Sequence, residues 1–276
     1  MKFKTLFILF NLVIVISFLI IYFMPLFMLG WEYTSIFWAK NWFLPVIFVA
    51  VIGGLNIYFI RNWKLFRYLE AENWDELEVY LEEQIYDKNR FRAQYIRVMV
   101  NTYLVKSEVE NIVRLEEHLA AKAPEVRKKF ALLLGIPYIL SNNSVKMKEY
   151  FKEFLTDKKG KEGLWIKWCY AFACFTGEDK ENAKYLLLEL SEQQQDPVLR
   201  LLTIYLLEAF RNDDPDIGPI VDRHVGEIKS AYTASTWERE IEKGKKEIFL
   251  VILSKLISDA TEWLFRKEVA PRRPEQ

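Results

Sequence analysis

Residues 5–29 run without a charged side chain, and residues 42–60 do so again. Wound as a helix with a rise of about 1.5 Å per residue, each stretch crosses a hydrocarbon core about 30 Å thick, the first with some tilt. The pattern predicts two membrane spans joined by a short loop. The first run is too long for the apolar region of a signal peptide, about 7 to 15 residues, and it ends in Phe-Met-Leu-Gly-Trp rather than at a small-x-small site. Lys2 and Lys4 precede the first span and Arg61, Lys64 and Arg67 follow the second, whereas the loop holds Lys40 offset by Glu32. That asymmetry predicts an inner-membrane hairpin with both termini in the cytoplasm. Trp31, Trp38 and Trp42 cluster at the loop, where amphipathic rings favour the headgroup level. Inside the spans, Asn11 and Asn56 are expected to pair across the two helices, and Gly53 and Gly54 to let the helices approach closely. Neither span holds Asp, Glu, Arg, Lys or His, so the usual marker of an ion or proton path is missing.

Beyond Arg61 the apolar positions recur at helical spacing, with almost no strand alternation. Breaks come at Glu72-Asn73, residues 87–90, Ser107, Ala123-Pro124, residues 141–144, 158–163 and 177–179, Asp196-Pro197 and residues 212–215. Segments of this length between such breaks predict antiparallel helix pairs with short turns. In one pair, Ile96, Met99, Val100 and Tyr103 form a face, Ile112 meets it from the next helix, and Pro124 closes the unit. The arrangement recurs at Phe130, Leu133 and Leu134 with Met147, Phe151 and Phe154. It recurs again at Trp165, Trp168, Cys169 and Phe172 with Ala183, Leu187 and Leu190, and starts once more near Leu202, Tyr205 and Leu206. Upstream, Leu65 and Tyr68 belong to a helix paired with one that starts at Asn73-Trp74.

This spacing resembles the tetratricopeptide repeat, a two-helix unit of about 34 residues. The family's small contact position falls on Leu65, Val100, Leu134, Cys169 and Leu206, and an apolar position is held by Glu116. Pro137 lies within a first helix and is expected to kink it. The layout of a short amino-terminal hairpin followed by repeats is similar to the HemY family of bacterial inner-membrane proteins, with a local echo in residues 66–85. Together these readings give an all-α chain. Residues 1–61 form the two-span hairpin, 62–234 the repeats of an alpha solenoid, 235–267 a long C-terminal capping helix and 268–276 a disordered tail. The capping helix, read over residues 236–265, has an uncharged run too short for a third span. Its apolar residues extend round more than one side, which offers a homodimer contact as its other use.

The resemblance also implies a surface, because first-helix residues beside the contact positions line a groove that receives a peptide. The matching positions are Gln94, Arg97, Asn101, Lys128, Tyr138, Tyr170 and Arg200. A mixed amide, cationic and aromatic lining suits a carboxylate-bearing segment.

Composition sharpens the contrast between the two parts. The whole chain is 51% hydrophobic and carries 38 basic and 38 acidic residues, but only three of the former and one of the latter lie in the first 60 positions. The rest is slightly acidic, which excludes a strongly basic nucleic-acid binder. Phosphate-binding glycine loops, H-E-x-x-H, C-x-x-C and G-x-S-x-G are all absent from the sequence. His118 and His224 lie far apart, and Cys169 and Cys174 face different directions on one helix, so neither a metal site nor a disulfide is expected. The expectation is a non-enzymatic membrane scaffold that needs no cofactor and recruits a protein partner. The rival is an accessory subunit of a membrane transport or secretion complex.

Overall fold

The computed structural model describes residues 3–155, 160–193, 196–244 and 247–266. Among these the regular structure is helical, with no strand. The chain divides into two compact units, Met1–Glu83 and Gln84–Gln276, with the division inside a π-helical turn, Glu83–Asp87.

In the first unit, α1 (Phe3–Lys40) and α2 (Phe43–Arg61) are long and apolar enough to cross a membrane. Phe7 meets Phe59 at 5.1 Å, Asn56 Nδ2 donates to Asn11 Oδ1 at 2.8 Å, and Phe18 stacks on Phe48 at 3.8 Å, which fixes an antiparallel register. The two asparagines thus pair as their apolar surroundings require. Around Gly53 and Gly54, by contrast, an added Cβ would meet nothing within 4 Å, so these glycines do not mediate close approach.

The loop expected between the spans is itself largely helical. Pro25 removes one backbone donor from α1, and Gly30, at φ 78° and ψ 180°, breaks it sharply. Residues 31–40 then fold back, so that the Trp38 indole donates to the Tyr22 carbonyl at 3.2 Å and stacks on its ring at 5.6 Å. In a charge-poor segment the indole N–H finds a carbonyl beside the proline turn, and aromatic packing closes the contact. After α2 come α3 (Trp63–Glu70) and α4 (Trp74–Glu82), which pack together with Leu65, Leu77 and Leu81 fully buried. Asn73 caps α4 by accepting from the Glu76 amide.

The second unit stacks helix pairs. They are α5 (Ala93–Val105) with α6 (Val109–Lys122); α7 (Pro124–Lys129), α8 (Ala131–Leu134) and α9 (Ile136–Leu140) with α10 (Ser144–Glu153); α11 (Lys161–Thr176) with α12 (Lys180–Ser191); and α13 (Pro197–Glu208) with α14 (Ile217–Ala231). The first helices also touch in series, α5 on α8, α8 on α11 and α11 on α13. Val100, Leu134, Cys169 and Leu206, the expected contact positions of this unit, are all buried. Turns fall where the breaks were predicted, and Asn89, Ser107 and Asn142 take the left-handed conformation there.

The first helix containing Pro137 is broken twice, at Phe130 and Gly135, rather than simply kinked. Proline removes a donor just where Gly135 lets α10 come close. A Cβ on Gly135 would stand 2.6 Å from the Phe151 ring and 2.9 Å from that of Tyr150, and Tyr150 is pinned by its hydroxyl donating to the Ala131 carbonyl at 2.9 Å. Gly135→Ala is therefore expected to destabilise by about 1–3 kcal/mol despite alanine's higher helix propensity. A rise in the thermal midpoint of this variant would refute the overlap.

The single C-terminal helix expected over residues 236–265 is instead three: α15 (Ala234–Gly244), α16 (Ile248–Ile252) and α17 (Ser254–Arg266). Six consecutive apolar residues, 248–253, cannot share one helical face. Breaking the helix aims Phe249 at Trp165, 5.4 Å away, while Leu264 is buried at the far end of α17, which packs on α13. The tail expected at 268–276 lies outside the described residues.

Candidate functional site

Beside the touching first helices lies a cleft of about 580 Å³ bordered by α5, α7, α8, α11 and α16. Arg97 and Asn101, four residues apart on α5, share its upper wall, as helical spacing requires. The Arg97 guanidinium lies 5.7 Å over the Phe130 ring and its side chain is exposed. Phe130, Leu132, Leu133, Trp165 and Phe249 form the apolar wall. Lys129, Lys161, Glu162 and Glu247 ring the opening. Lys161 is shared between Asp196 at 3.4 Å and Glu247 at 3.8 Å. Asp196 itself is a junction: its carboxylate caps α13 by accepting from the Leu199 amide at 2.8 Å and accepts from the Trp165 indole at 3.2 Å. A cleft of this size with an apolar floor and a few polar groups suits side chains of a bound segment.

Of the seven residues proposed from sequence, Arg97 and Asn101 come together here. The others stand elsewhere. Gln94 is half-buried on α5 outside the cleft. Lys128 lies 4.0 Å from Glu125, and its neighbour Lys129, about 100° round the same helix, borders the cleft instead. Arg200 binds Glu227 at 3.2 Å. Tyr170 is buried beside Cys174 and Asn182, and burial pushes its hydroxyl above the usual tyrosine range. Tyr138 stacks on Tyr150 at 4.4 Å and is pushed up to about 12 by burial and by the charges of Glu116 and Glu117. Phe249 and Glu247 were invisible as cleft residues because they come from outside the repeated pairs.

A second polar centre is built on Arg127. Its guanidinium donates to the buried Glu116 from one edge and to Glu153 from the other, the second contact including a 2.8 Å bond, and it lies 4.9 Å over the Phe154 ring. Glu116, the charged residue at an expected apolar position, is therefore paired. Cys169 and Cys174 are buried free thiols, and burial pushes both upward, so neither is set up as a nucleophile. His118 packs against Tyr86 and Phe91, and His224 sits within 3.3 Å of Glu227. Among the described residues no group of three metal-ligating side chains converges.

A family model described as an uncharacterised Treponema protein matches residues 111–266, more than half of the chain. The chain belongs to that family. It is also similar to an uncharacterized protein of Treponema pallidum (strain Nichols), at 26% identity over 232 residues, covering 80% of this chain and 74% of the relative. No solved structure matches it. The family match runs from within α6 to the end of α17. It therefore takes in the lower cleft wall and the returning C-terminal helices, and leaves Arg97 and Asn101 upstream.

Proposed function

We propose that the chain is a membrane-anchored adaptor. Its hairpin spans the inner membrane with both termini cytoplasmic, and its helix pairs form an alpha solenoid of tetratricopeptide type that recruits a protein segment. The observation that carries this reading is the cleft of about 580 Å³ on the first-helix face, where an exposed arginine and an amide stand over aromatic walls. Polar ties that reach about one repeat along support the solenoid: Lys148 to Asp179, Trp165 to Asp196, Lys184 to Asp214 and Glu192 to Arg223. Anchoring raises the effective concentration of partners at the bilayer, with no reaction required.

The test uses the full chain purified in mild detergent with its co-purifying proteins. Arg97→Glu is expected to cut recruitment roughly tenfold, because a charge at a recognition rim is reversed, while the helical circular dichroism signal stays unchanged. Recruitment that survives the substitution but is lost when the hairpin is replaced by an unrelated anchor would favour an accessory membrane subunit. Protease added outside spheroplasts should leave α3 to α17 intact; digestion there would sink the assigned topology.

A further inference from the structure

The first-helix face is not bare along its whole length. After α15 the chain returns and lays α16 and α17 across it. α16 meets α8, Phe249 stands edge-on to Trp165 of α11 at 5.4 Å, and Glu247 reaches toward Lys161 at 3.8 Å. Farther on, α17 packs on α13, with Trp263 5.6 Å from Tyr205. α8, α11 and α13 all belong to first helices, the elements that line the groove of the proposed adaptor.

Three observations mark this segment as a ligand-like occupant rather than an ordinary part of the core. Its buried apolar residues are Phe249, Leu250, Leu253, Ile257, Ala260 and Leu264, and from Leu250 on they recur at steps of three and four across α16 and α17, the pattern of a helical segment laid into a groove. It is bordered by unfilled space on two sides. One space is the cleft of about 580 Å³, and the other is a cavity of about 530 Å³ between Val198, Ile241, Leu250, Ser254, Ile257 and Thr261. Both are open to solvent, so the segment leaves apolar wall uncovered on either side, where a larger occupant would add contacts. Finally, the Lys161–Glu247 pair is 58% and 59% exposed and screened by water, so it holds the segment weakly.

We infer that residues 247–266 are a built-in occupant of the partner groove. The partner segment that takes their place is then a helix of the same chemistry: an acidic side chain, an aromatic one two positions later, and aliphatic residues at steps of three and four beyond it. The inference rests on the groove reading and deepens it. A groove occupied from within binds its partner with an apparent affinity lowered by the fraction of molecules in which the segment is off.

The experiment titrates a fluorescein-labelled synthetic peptide of residues 245–266 into the full-length chain in detergent micelles and reads fluorescence anisotropy. Phe249→Ala removes the ring against Trp165, and peptide affinity should rise about tenfold over the unsubstituted chain. Glu247→Lys places like charges opposite Lys161, and affinity should rise about threefold. If Phe249→Ala lowers the helical circular dichroism signal, Glu247→Lys decides alone, since it alters only exposed groups. Peptide affinity equal in the unsubstituted chain and in the variants that fold overturns the inference. The groove reading is judged separately: loss of recruitment in Arg97→Glu with no gain in peptide binding keeps the groove and removes the built-in occupant. The converse pattern keeps the occupant and removes the groove as a recruitment site.

Discussion

Arg127→Met should destabilise the second unit by about 3–5 kcal/mol, because it strands the buried carboxylate of Glu116 without a cation. Glu116 is 4% exposed on α6, in a position that the helix pattern reserves for an apolar side chain, and the Arg127 guanidinium is its ion-pair partner. The same guanidinium covers the Phe154 ring, so the substitution also removes a packed cation from an aromatic face. Glu153, the other partner, is more than half exposed, and Glu153→Gln should cost under about 1 kcal/mol. The double variant Glu116→Leu, Arg127→Met should recover most of the loss, since a buried ion pair and an apolar pair of similar volume are often comparable in stability. Urea denaturation followed by tryptophan fluorescence separates these cases, and an Arg127→Met loss below about 1 kcal/mol would show that Glu116 is hydrated instead.

Acid adds a second signature. Hydrogen bonding to Arg127 holds the Glu153 carboxyl below its usual value of 4.5, so its contribution is present at neutral pH and is lost as pH falls through the depressed folded value. In Glu153→Gln the part of the acid-induced loss below about pH 4.5 that belongs to this group should disappear.

The Glu116 site shows what a linear reading can and cannot reach. That Glu116 breaks an apolar pattern is visible in the chain; that Arg127 answers it is not, because the pairing depends on how α7 crosses α6. Local rules carried further. Ser107 and Asn142 were legible as turns, and both take left-handed backbone that short polar side chains tolerate. Val100, Leu134, Cys169 and Leu206 were legible as contacts, because a helix that repeats its apolar face every 34 to 37 residues must bury it against the next pair. Asn11 and Asn56 were legible as partners, because two amides in an apolar hairpin have few other donors and acceptors to meet.

The failures have a common physical origin in segments that fold back. Residues 31–40 read as a loop because they carry the only two charges between the spans, yet a glycine break and a Trp38–Tyr22 contact make them a helical return. Residues 248–253 read as the middle of one helix, yet α16 ends at Ile252 and Phe249 seats against Trp165, more than 80 residues away in the chain. Arg97 and Asn101 of the proposed surface share this cleft, since four residues along one helix is a local relation, whereas the reach from α5 to α16 is not.

The centre of α11 is where the stacked pairs should be most sensitive, and Trp168→Ala is expected to cost about 3–5 kcal/mol. Trp168 is fully buried, stacks on Phe172 at 5.2 Å with the rings 9° apart, and meets Trp165 edge-on at 5.9 Å. Its helix packs against α8, α10, α12 and α13, so a cavity there has walls on several neighbours and little freedom to collapse. Trp168→Phe should cost under about 2 kcal/mol, because it keeps most of the ring volume and also removes a buried indole N–H that has no acceptor among the described residues. Equal losses from the two substitutions would mean that the indole edge, not the ring volume, stabilises this site. The alanine variant should also show a lower dependence of unfolding free energy on urea, since pairs coupled through α11 would no longer unfold as one transition. A steep, single transition in Trp168→Ala would place the coupling between pairs in the polar ties at Asp179 and Asp196 instead.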